Sequence, residues 1–257
     1  MQEITSRKNP QLQHLKKLGT DRAYREACGE FLCDGVKLYE EAVQAEVEIT
    51  LVVTSQRDAA DQVSYAGQVL FVPQDVLESI SPMKSPQPLL FACKQPNGVP
   101  LQGARRVLVL DGVQDPGNVG TLLRSATAFA AEQVILVGAC ADLYNPKTVR
   151  AAMGALFRQR VTRMTLEELM DYVRENNLTL LGADAAADGQ DAREPLPDRV
   201  AIAIGSEGQG LSAALLERCD GTVRIPMEAR SESLNAGVAG SILLWELYRN
   251  REGEPRG

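Results

Sequence analysis

The sequence predicts an α/β protein with two domains, and three observations support this. After residue 105, short runs rich in Val, Ile and Leu alternate with helical segments, which is typical of a parallel sheet covered on both faces. The first 95 residues contain strands and helices of their own. Between the two parts lies "QPNGVPLQGARR", which has prolines, glycines and no apolar periodicity. We expect domains at 1–95 and 107–250, a linker at 96–106 and a charged tail at 251–257.

The N-terminal domain is expected to be a small mixed α/β unit. Its helices are "PQLQHLKKL", "RAYREAC" and "VKLYEEAVQA". Its strands are "EFLCDG", "ITLVVTS", "QVLFVP" and "PLLFACKQ".

The C-terminal domain is expected to repeat a strand, a loop and a helix. The strands are "RVLVLDG", "QVILVG", a short one near "RQRVTRM", "LTLLGADA", "VAIAIGS" and "GTVRIP". The helices are "NVGTLLRSATAFA", "PKTVRAAMGALF", "TLEELMDYVRENN", "SAALLERC" and a final one after residue 233. Ligands of such sheets bind in the loops at the carboxyl ends of the strands.

Composition narrows the class of protein. The start, "MQEITSRKNP", has no apolar signal region, and no run of about 18 uncharged apolar residues occurs, so we expect a cytoplasmic protein without a membrane span. The 5 cysteines are scattered and form no CxxC pair, which argues against a disulfide framework and a structural zinc site.

The net charge of −7 conceals a basic N-terminal segment. Within residues 1–25, six basic residues stand against Glu3 and Asp21, a local net charge of +4. Such a segment could bind RNA or could be an ordinary solvated helix face, and both interpretations stay open. The basic residues are Arg7, Lys8, Lys16, Lys17, Arg22 and Arg25.

The chain has a single histidine, His14. Ser-His-Asp and Cys-His catalysis need a histidine base, and most transition-metal sites use several histidines. We therefore expect neither chemistry and no metal. His14 itself is predicted to be an exposed helix residue.

The first candidate loop is "LDGVQDPGNVGTLLRSATAF". Pro116 and Gly117 fit the centre of a type II turn, and Asn118 is a good N-cap for the helix that follows. Arg124 lies in the second turn of that helix and is expected to have a partly buried stem and a directed guanidinium. A structural salt bridge is the alternative for Arg124.

The second candidate loop is "VAIAIGSEGQGLS". Gly205, Gly208 and Gly210 permit positive φ and close approach of the backbone to a ligand, and Glu207 places one acid in the turn. The spacing matches neither the dinucleotide fingerprint nor the phosphate loop. A plain turn is the alternative.

The third is "IPMEARSESLNAGVAGSILLWEL". Gly237 and Gly240 each lower the stability of a helix interior by about 1 kcal/mol relative to Ala, so the presence of two glycines in this helix requires an explanation. Close approach of another backbone is one explanation, and a tight helix crossing is the other. Ser233 is a plausible N-cap, with Asn235 in the first turn.

Taken in order, "NVGTLLR", "IGSEGQGLS" and "IPMEARSESLN" resemble the three signature motifs of the SpoU/TrmH family of RNA ribose 2′-O-methyltransferases. The resemblance covers roughly residues 105 to 250. It implies a deep trefoil knot, S-adenosylmethionine as cofactor and a homodimer. The N-terminal "ITSRKNPQLQHLKKL" is similar to the substrate-binding extension of rRNA-directed members.

By position, the resemblance implies roles for individual residues. Backbone at Gly205, Ile225 and Leu234, with Met227 beside it, would hold the cofactor. The knot would place the small front of the last helix, with Gly237 and Gly240, against the knotted loop and the bound cofactor. Ala229 and Ala236 depart from the family pattern but leave the polar residues intact. The implied catalytic residues are Asn118, Arg124, Glu207, Ser233 and Asn235, and the candidates for binding RNA are Arg7, Lys8, Lys16, Lys17 and Arg22.

The implied reaction is methylation of a ribose 2′-OH. Arginine is not readily deprotonated, so Arg124 is expected to bind a neighbouring phosphate and stabilise the developing alkoxide, while a phosphate oxygen, Glu207 or water accepts the proton. Ribosomal RNA is favoured over tRNA as substrate. A base methyltransferase on the same fold and a non-catalytic RNA-binding or ribosome-assembly factor stay open, and the nucleotide modified is not identified.

Overall fold

The computed structural model describes residues 2–57, 63, 69–96, 98–185, 189–228 and 233–249. The helices in these ranges are α1 (Pro10–Thr20), α2 (Arg22–Cys28), α3 (Val36–Gln44), α4 (Gln74–Ile80), α5 (Pro116–Ala128), α6 (Pro146–Ala152), α7 (Ala155–Arg158), α8 (Leu166–Glu175), α9 (Ala213–Leu216) and α10 (Ala236–Arg249). The strands are β1 (Gln2–Glu3), β2 (Glu30–Asp34), β3 (Ile49–Thr54), β4 (Val69–Phe71), β5 (Leu89–Lys94), β6 (Arg106–Asp111), β7 (Gln133–Val137), β8 (Val161–Met164), β9 (Thr179–Ala183), β10 (Gln190–Asp191), β11 (Val200–Ile204) and β12 (Gly221–Arg224).

The chain divides into two compact units. The first is Met1–Asn97 with Asp142–Phe157, and the second is Gly98–Ala141 with Arg158–Gly257. Residues 142–157 thus group with the first unit. The domain limits given above stay a prediction, and the tail at 251–257 lies outside the described residues.

The first unit has a mixed sheet. Among the described residues its strand order is β1-β4-β3-β5-β2. β5 is antiparallel to β2 and β3, while β4 is parallel to β1 and β3. The four predicted strands are present; the short β1 and helix α4 were not predicted.

Helix α1 covers one face of the first unit's core. It begins after Asn9, whose Oδ1 accepts a 2.9 Å hydrogen bond from the backbone N–H of Gln11. Leu12, Leu15 and Leu18 recur at helical spacing and are fully buried. The helix is therefore anchored by one apolar stripe, with its basic residues on the other side.

His14 is not the exposed helix residue that we expected. Its side chain is 25 % exposed, its Nδ1 lies 2.9 Å from Oη of Tyr24 and its Nε2 lies 2.8 Å from Oε2 of Glu30. Glu30 also accepts a 2.7 Å hydrogen bond from Nζ of Lys94. His14 thus belongs to a polar cluster that joins α1, α2 and the sheet.

The basic segment is less positive at its surface than its composition indicates. Arg25 is buried, and its Nη2 lies 2.6 Å from Oδ2 of Asp142. Arg7 pairs with Asp75, and Arg22 pairs with Glu26 on its own helix. The five residues proposed to bind RNA are nevertheless all exposed.

One predicted helix is broken in two. The stretch 146–157 was expected to be continuous, but α6 ends at Ala152 because Met153 and Gly154 adopt left-handed backbone, with φ of 49° and 87°. A Cβ on Gly154 would lie 2.9 Å from Cβ of Glu41, so glycine is required there.

The second unit confirms the predicted parallel sheet. Among the described residues its strand order is β10-β12-β9-β11-β6-β7-β8, and every neighbouring pair is parallel. The six predicted strands are present, and β10 was not predicted. β7 and β11 are buried along their whole length, as expected for strands covered on both faces. The trefoil knot stays a prediction.

No helix in the described part of the chain is both long and apolar enough to cross a membrane. Nor do the described His, Cys, Asp and Glu side chains form a group of three or more that could hold a metal ion.

Candidate active site

The three motif loops lie at one edge of the second unit's sheet. They follow β6, β11 and β12, which end at Asp111, Ile204 and Arg224. Because the strands are parallel, their carboxyl ends meet at the same edge. Residues that are 28 to 117 positions apart in sequence are thereby brought together.

The N-cap of α5 is Asp115 and not Asn118 as predicted. Oδ1 of Asp115 accepts a 2.8 Å hydrogen bond from the backbone N–H of Asn118. Pro116 and Gly117 are therefore the first helical residues rather than the centre of a turn, and proline is well tolerated at that position. This leaves the Asn118 side chain free for other contacts.

The cap of α10 also differs from the prediction. The helix begins at Ala236, and Oδ1 of Asn235 accepts a 3.2 Å hydrogen bond from the backbone N–H of Val238. Asn235 therefore caps the helix, whereas Ser233 lies before it, on the wall of a cavity.

Asn118, Glu207 and Asn235 form one polar cluster. Nδ2 of Asn118 donates a 2.6 Å hydrogen bond to Oε1 of Glu207. Nδ2 of Asn235 donates to Oδ1 of Asn118 at 3.0 Å and also donates to Oε1 of Glu207. The carboxylate thus fixes the orientation of both amides, and each motif contributes one member of the cluster.

Arg124 is exposed, which corrects the expectation of a partly buried stem. Leu122, Leu123 and Ala126 point into the core, whereas Thr121 and Arg124, one turn apart, point outward. No described residue forms a hydrogen bond or ion pair with Arg124. The alternative of a structural salt bridge therefore has no partner within the described ranges.

A cavity of about 360 Å³ lies beside the polar cluster. Its apolar wall includes Leu211, Leu216 and Leu243, and Glu207 and Ser233 contribute polar groups. Small-molecule sites are of this size and have this mixture of apolar walls and few polar groups. All four residues expected to hold the cofactor line it, namely Gly205, Ile225, Met227 and Leu234.

The loop after β11 closes tightly on itself. Ser206 and Gly210 each donate a 2.9 Å backbone hydrogen bond to the carbonyl of the other. A Cβ on Gly205 would lie 2.0 Å from the carbonyl carbon of Gly210, so Gly205 is required for close approach. Of the three glycines predicted to allow positive φ, only Gly210 uses it, at 67°.

Sequence reasoning missed Asp111, which is buried at the end of β6. Its Oδ2 accepts a 2.7 Å hydrogen bond from the backbone N–H of Ser212 and so ties this loop to the sheet. An acid at the end of an apolar strand, as in "RVLVLDG", is the signal that could have indicated it.

The glycines of α10 face α5. A Cβ on Gly240 would lie 2.2 Å from Cδ2 of Leu122, and one on Gly237 would lie 3.2 Å from Oδ1 of Asn118. These contacts support the tight helix crossing, whereas contact of the two glycines with a knotted loop stays a prediction, as the knot does. It is Ala236 and Ala239 that line the cavity.

Comparison with known proteins matches two segments of the chain to family models. Residues 105–245 match the model of the SpoU rRNA Methylase family. The chain belongs to this family. Residues 9–91 of this SpoU family member match a second model, the MRM3-like substrate binding domain.

Two relatives match this SpoU chain over nearly its whole length. One is the 23S rRNA (guanosine(2553)-2'-O)-methyltransferase RlmP of Bacillus subtilis strain 168, which is 34% identical over 96% of this chain and 99% of that protein. The other is the 23S rRNA (uridine(2479)-2'-O)-methyltransferase of Streptomyces viridochromogenes, which is 31% identical over 96% of this chain and 92% of that protein.

Solved structures agree with this SpoU assignment. The AdoMet-bound rRNA methyltransferase from Sinorhizobium meliloti superposes with a TM-score of 0.85 at 31% identity, covering 96% of this chain and 97% of that one. The SpoU methyltransferase AviRb from Streptomyces viridochromogenes, in complex with AdoMet, has a TM-score of 0.85 at 27% identity, covering 96% and 100%.

Proposed function

We propose that this SpoU family member transfers a methyl group from S-adenosylmethionine to a ribose 2′-hydroxyl of ribosomal RNA. The observation that carries the proposal is the convergence of Asn118, Glu207 and Asn235 into one hydrogen-bonded cluster beside a cavity of about 360 Å³. Family membership and the names of the two relatives point to the same reaction.

The residues that line this cavity suit S-adenosylmethionine. We propose that backbone groups of Gly205, Ile225 and Leu234, which line the cavity, bind the polar heteroaromatic ring, and that Met227 supplies apolar contact. Gly205 lines this cavity, and its loop is too tight to accept a side chain at that position. When bound, the cofactor supplies a methyl group that its sulfonium has already activated.

Arg124 is the residue that we propose to act on the RNA. A guanidinium stays protonated and binds phosphate through paired N–H groups, so Arg124 can hold the phosphate next to the target ribose and stabilise the developing alkoxide. Its exposure leaves it free for this contact.

Asn118, Asn235 and Ser233 are proposed to orient the target ribose. Both asparagine amides already donate to Oε1 of Glu207, so Glu207 fixes the direction in which they point. We therefore propose Glu207 as an orienting group, and a phosphate oxygen or water as the proton acceptor.

The first unit is proposed to bind the RNA substrate. Its exposed basic residues would contact phosphates, which position a nucleic acid without reading its sequence. The two relatives are named for a guanosine and for a uridine, so the nucleotide does not follow from the family. These basic residues are Arg7, Lys8, Lys16, Lys17 and Arg22.

The active form is proposed to be a homodimer in the cytoplasm. Trp245 and Val238 of α10 are 46% and 47% exposed. Phe129 lies with its ring centroid 5.5 Å from that of Trp245, and Tyr248 lies 6.0 Å from both rings, which makes an aromatic surface. A second copy of the chain, packed on this surface, would bury it.

The test is transfer of labelled methyl from S-adenosylmethionine to unmodified rRNA and tRNA pools, followed by digestion to nucleosides and mass spectrometry. A 2′-O-methylnucleoside from rRNA is expected. Label on a base would indicate a base methyltransferase, and label only in tRNA would change the substrate. Absence of both transfer and cofactor binding would favour a non-catalytic assembly factor.

A further inference from the structure

A second cavity in the same unit has no role in the chemistry described so far. It has a volume of about 1080 Å³ and lies at the carboxyl ends of β6, β7 and β8. Ser206, Gln209, Gly210 and Leu211 line this cavity and the cofactor cavity alike, so their loop is a wall common to both.

The second cavity is lined by both apolar and polar side chains. Leu136, Val137, Met164 and Leu166 supply the apolar surface. The two acids that line it are already bonded: Asp111 accepts from Ser212, and Glu168 accepts from the backbone N–H of Thr165 at 2.7 Å. Asp111 is buried, whereas the carboxylate of Glu168 is exposed and keeps its charge.

Three other polar side chains remain available at this cavity. Gln114 and Gln209 are exposed, and their side-chain amides form no hydrogen bond with any described residue. Arg163 is exposed too, and one of its nitrogens, Nη2, donates to the carbonyl of Ala141 at 2.9 Å. An amide offers one donor side and one acceptor side, and a guanidinium keeps further N–H groups for an anion.

We infer that this second cavity, the base pocket, holds a nucleobase of the RNA strand that is methylated. Apolar side chains together with amide side chains in one cavity suit a flat heteroaromatic ring with hydrogen-bonding edges. Arg163 is placed to bind a phosphate of the same strand. The inference rests on the proposed function, because a nucleobase is a ligand only for a chain that binds RNA. The loop that contains Ser206 and Gly210 lines both this pocket and the cofactor cavity.

The test uses variants that touch the base pocket and not the cofactor cavity. Gln114→Ala removes one amide, and Ala139→Trp fills the space from an exposed position. Gln102→Ala, at an exposed glutamine that lines neither cavity, is the matched control. The probe is a fluorescent rRNA fragment that spans the nucleotide methylated by the wild type, or the unmodified rRNA pool if none is methylated.

We expect Gln114→Ala to raise the Kd for this RNA about 5- to 10-fold and Ala139→Trp to raise it at least as much. Gln102→Ala should leave the Kd for this RNA unchanged. None of the three variants should change the thermal midpoint or the Kd for S-adenosylmethionine. Removing one base from the fragment should weaken wild-type binding by a similar factor and add nothing in Ala139→Trp, because the two changes remove the same contact.

Unchanged RNA affinity in both variants, with methyl transfer intact in the wild type, would overturn the inference and leave the proposed function standing. Loss of cofactor binding in Gln114→Ala would also overturn it, since Gln114 would then belong to the cofactor cavity. A wild type that neither binds nor methylates RNA would overturn the proposed function and the inference together. RNA binding without methylation would count against the proposed function alone, because the affinity comparison still reports on the base pocket.

Discussion

Asn235 donates a 3.0 Å hydrogen bond from its Nδ2 to Oδ1 of Asn118, although 117 positions separate the two residues. Both amides also donate to Oε1 of Glu207. The three side chains therefore restrain one another, and a change in one is expected to disturb the other two.

The first prediction concerns this mutual restraint. Glu207→Ala and Asn118→Ala should each lower the single-turnover rate of methyl transfer about 10- to 100-fold. Glu207→Ala removes the acceptor of both amides, and Asn118→Ala removes one acceptor of the Asn235 amide. The double variant should lose little more than the worse single variant, since residues in contact are not additive. Fully multiplicative losses would show that Asn118 and Glu207 act independently.

Arg124→Ala should abolish turnover and spare the affinity for S-adenosylmethionine, because Arg124 does not line the cofactor cavity. Its exposure predicts a change in the free energy of unfolding below about 0.5 kcal/mol. Calorimetric titration and urea unfolding measure these quantities. Arg174→Ala, at an exposed arginine of α8, is the control and should turn over normally. Equal loss of turnover and cofactor affinity would contradict the assignment.

Gly205→Ala should destroy the cofactor cavity, since its Cβ would lie 2.0 to 2.2 Å from backbone atoms of Gly210 and Leu211. The loop would have to open, which we expect to lower stability by about 1 to 3 kcal/mol and to abolish binding of S-adenosylmethionine. A Cβ on Gly208, in the same loop, would have no atom within 4 Å. Gly208→Ala should therefore keep the wild-type stability and the binding of S-adenosylmethionine. Thermal unfolding with and without the cofactor distinguishes the two variants.

A pH dependence is expected from Glu30. Burial alone would raise its pKa, but hydrogen bonds from Lys94 and His14 outweigh burial and hold the pKa of this carboxyl below its usual 4.5. Its contribution to stability is therefore present above that usual value and is lost as the pH falls through the lowered one. Thermal midpoints from about pH 6 to pH 3 should fall more in the wild type than in Glu30→Gln. Glu26→Gln, at an exposed carboxylate, should behave like the wild type.

The aromatic surface on α10 should control the oligomeric state. Trp245→Glu is expected to convert a dimer to a monomer in light scattering at micromolar concentration, because it places a charge in an apolar contact. Val43→Glu, at an exposed apolar residue of α3, is the control and should leave the dimer intact. A wild-type monomer under the same conditions would contradict the homodimer.

The predicted strands of the second sheet were correct because their signal is local. Runs such as "RVLVLDG" and "VAIAIGS" are apolar throughout, and strands buried on both faces require this. The predicted caps were wrong because Asp115 and Asn118 are equally good caps, as are Ser233 and Asn235. Tertiary contacts decide between such candidates, and "DPGN" carries no information about Glu207.

The dependence on tertiary contacts also explains why the roles of the glycines and the break in the predicted helix at 146–157 could not be predicted. Gly240 faces Leu122, and Gly154 faces Glu41, in each case a neighbour more than 100 positions away. Propensity alone therefore could not tell a tight helix crossing from a cofactor contact, or a helix interior from a helix end. Exposure of Arg124 was missed because its apolar neighbours in sequence lie on the opposite side of α5.

The distance in sequence between Asn118 and Asn235 also has a consequence for synthesis. The chain is made from its N-terminus, so Asn118 leaves the ribosome 117 residues before the partner that completes its cluster. A chain that stops before Asn235 carries Arg124 but no complete polar cluster. We therefore expect products of premature termination to be inactive, however well their first unit folds.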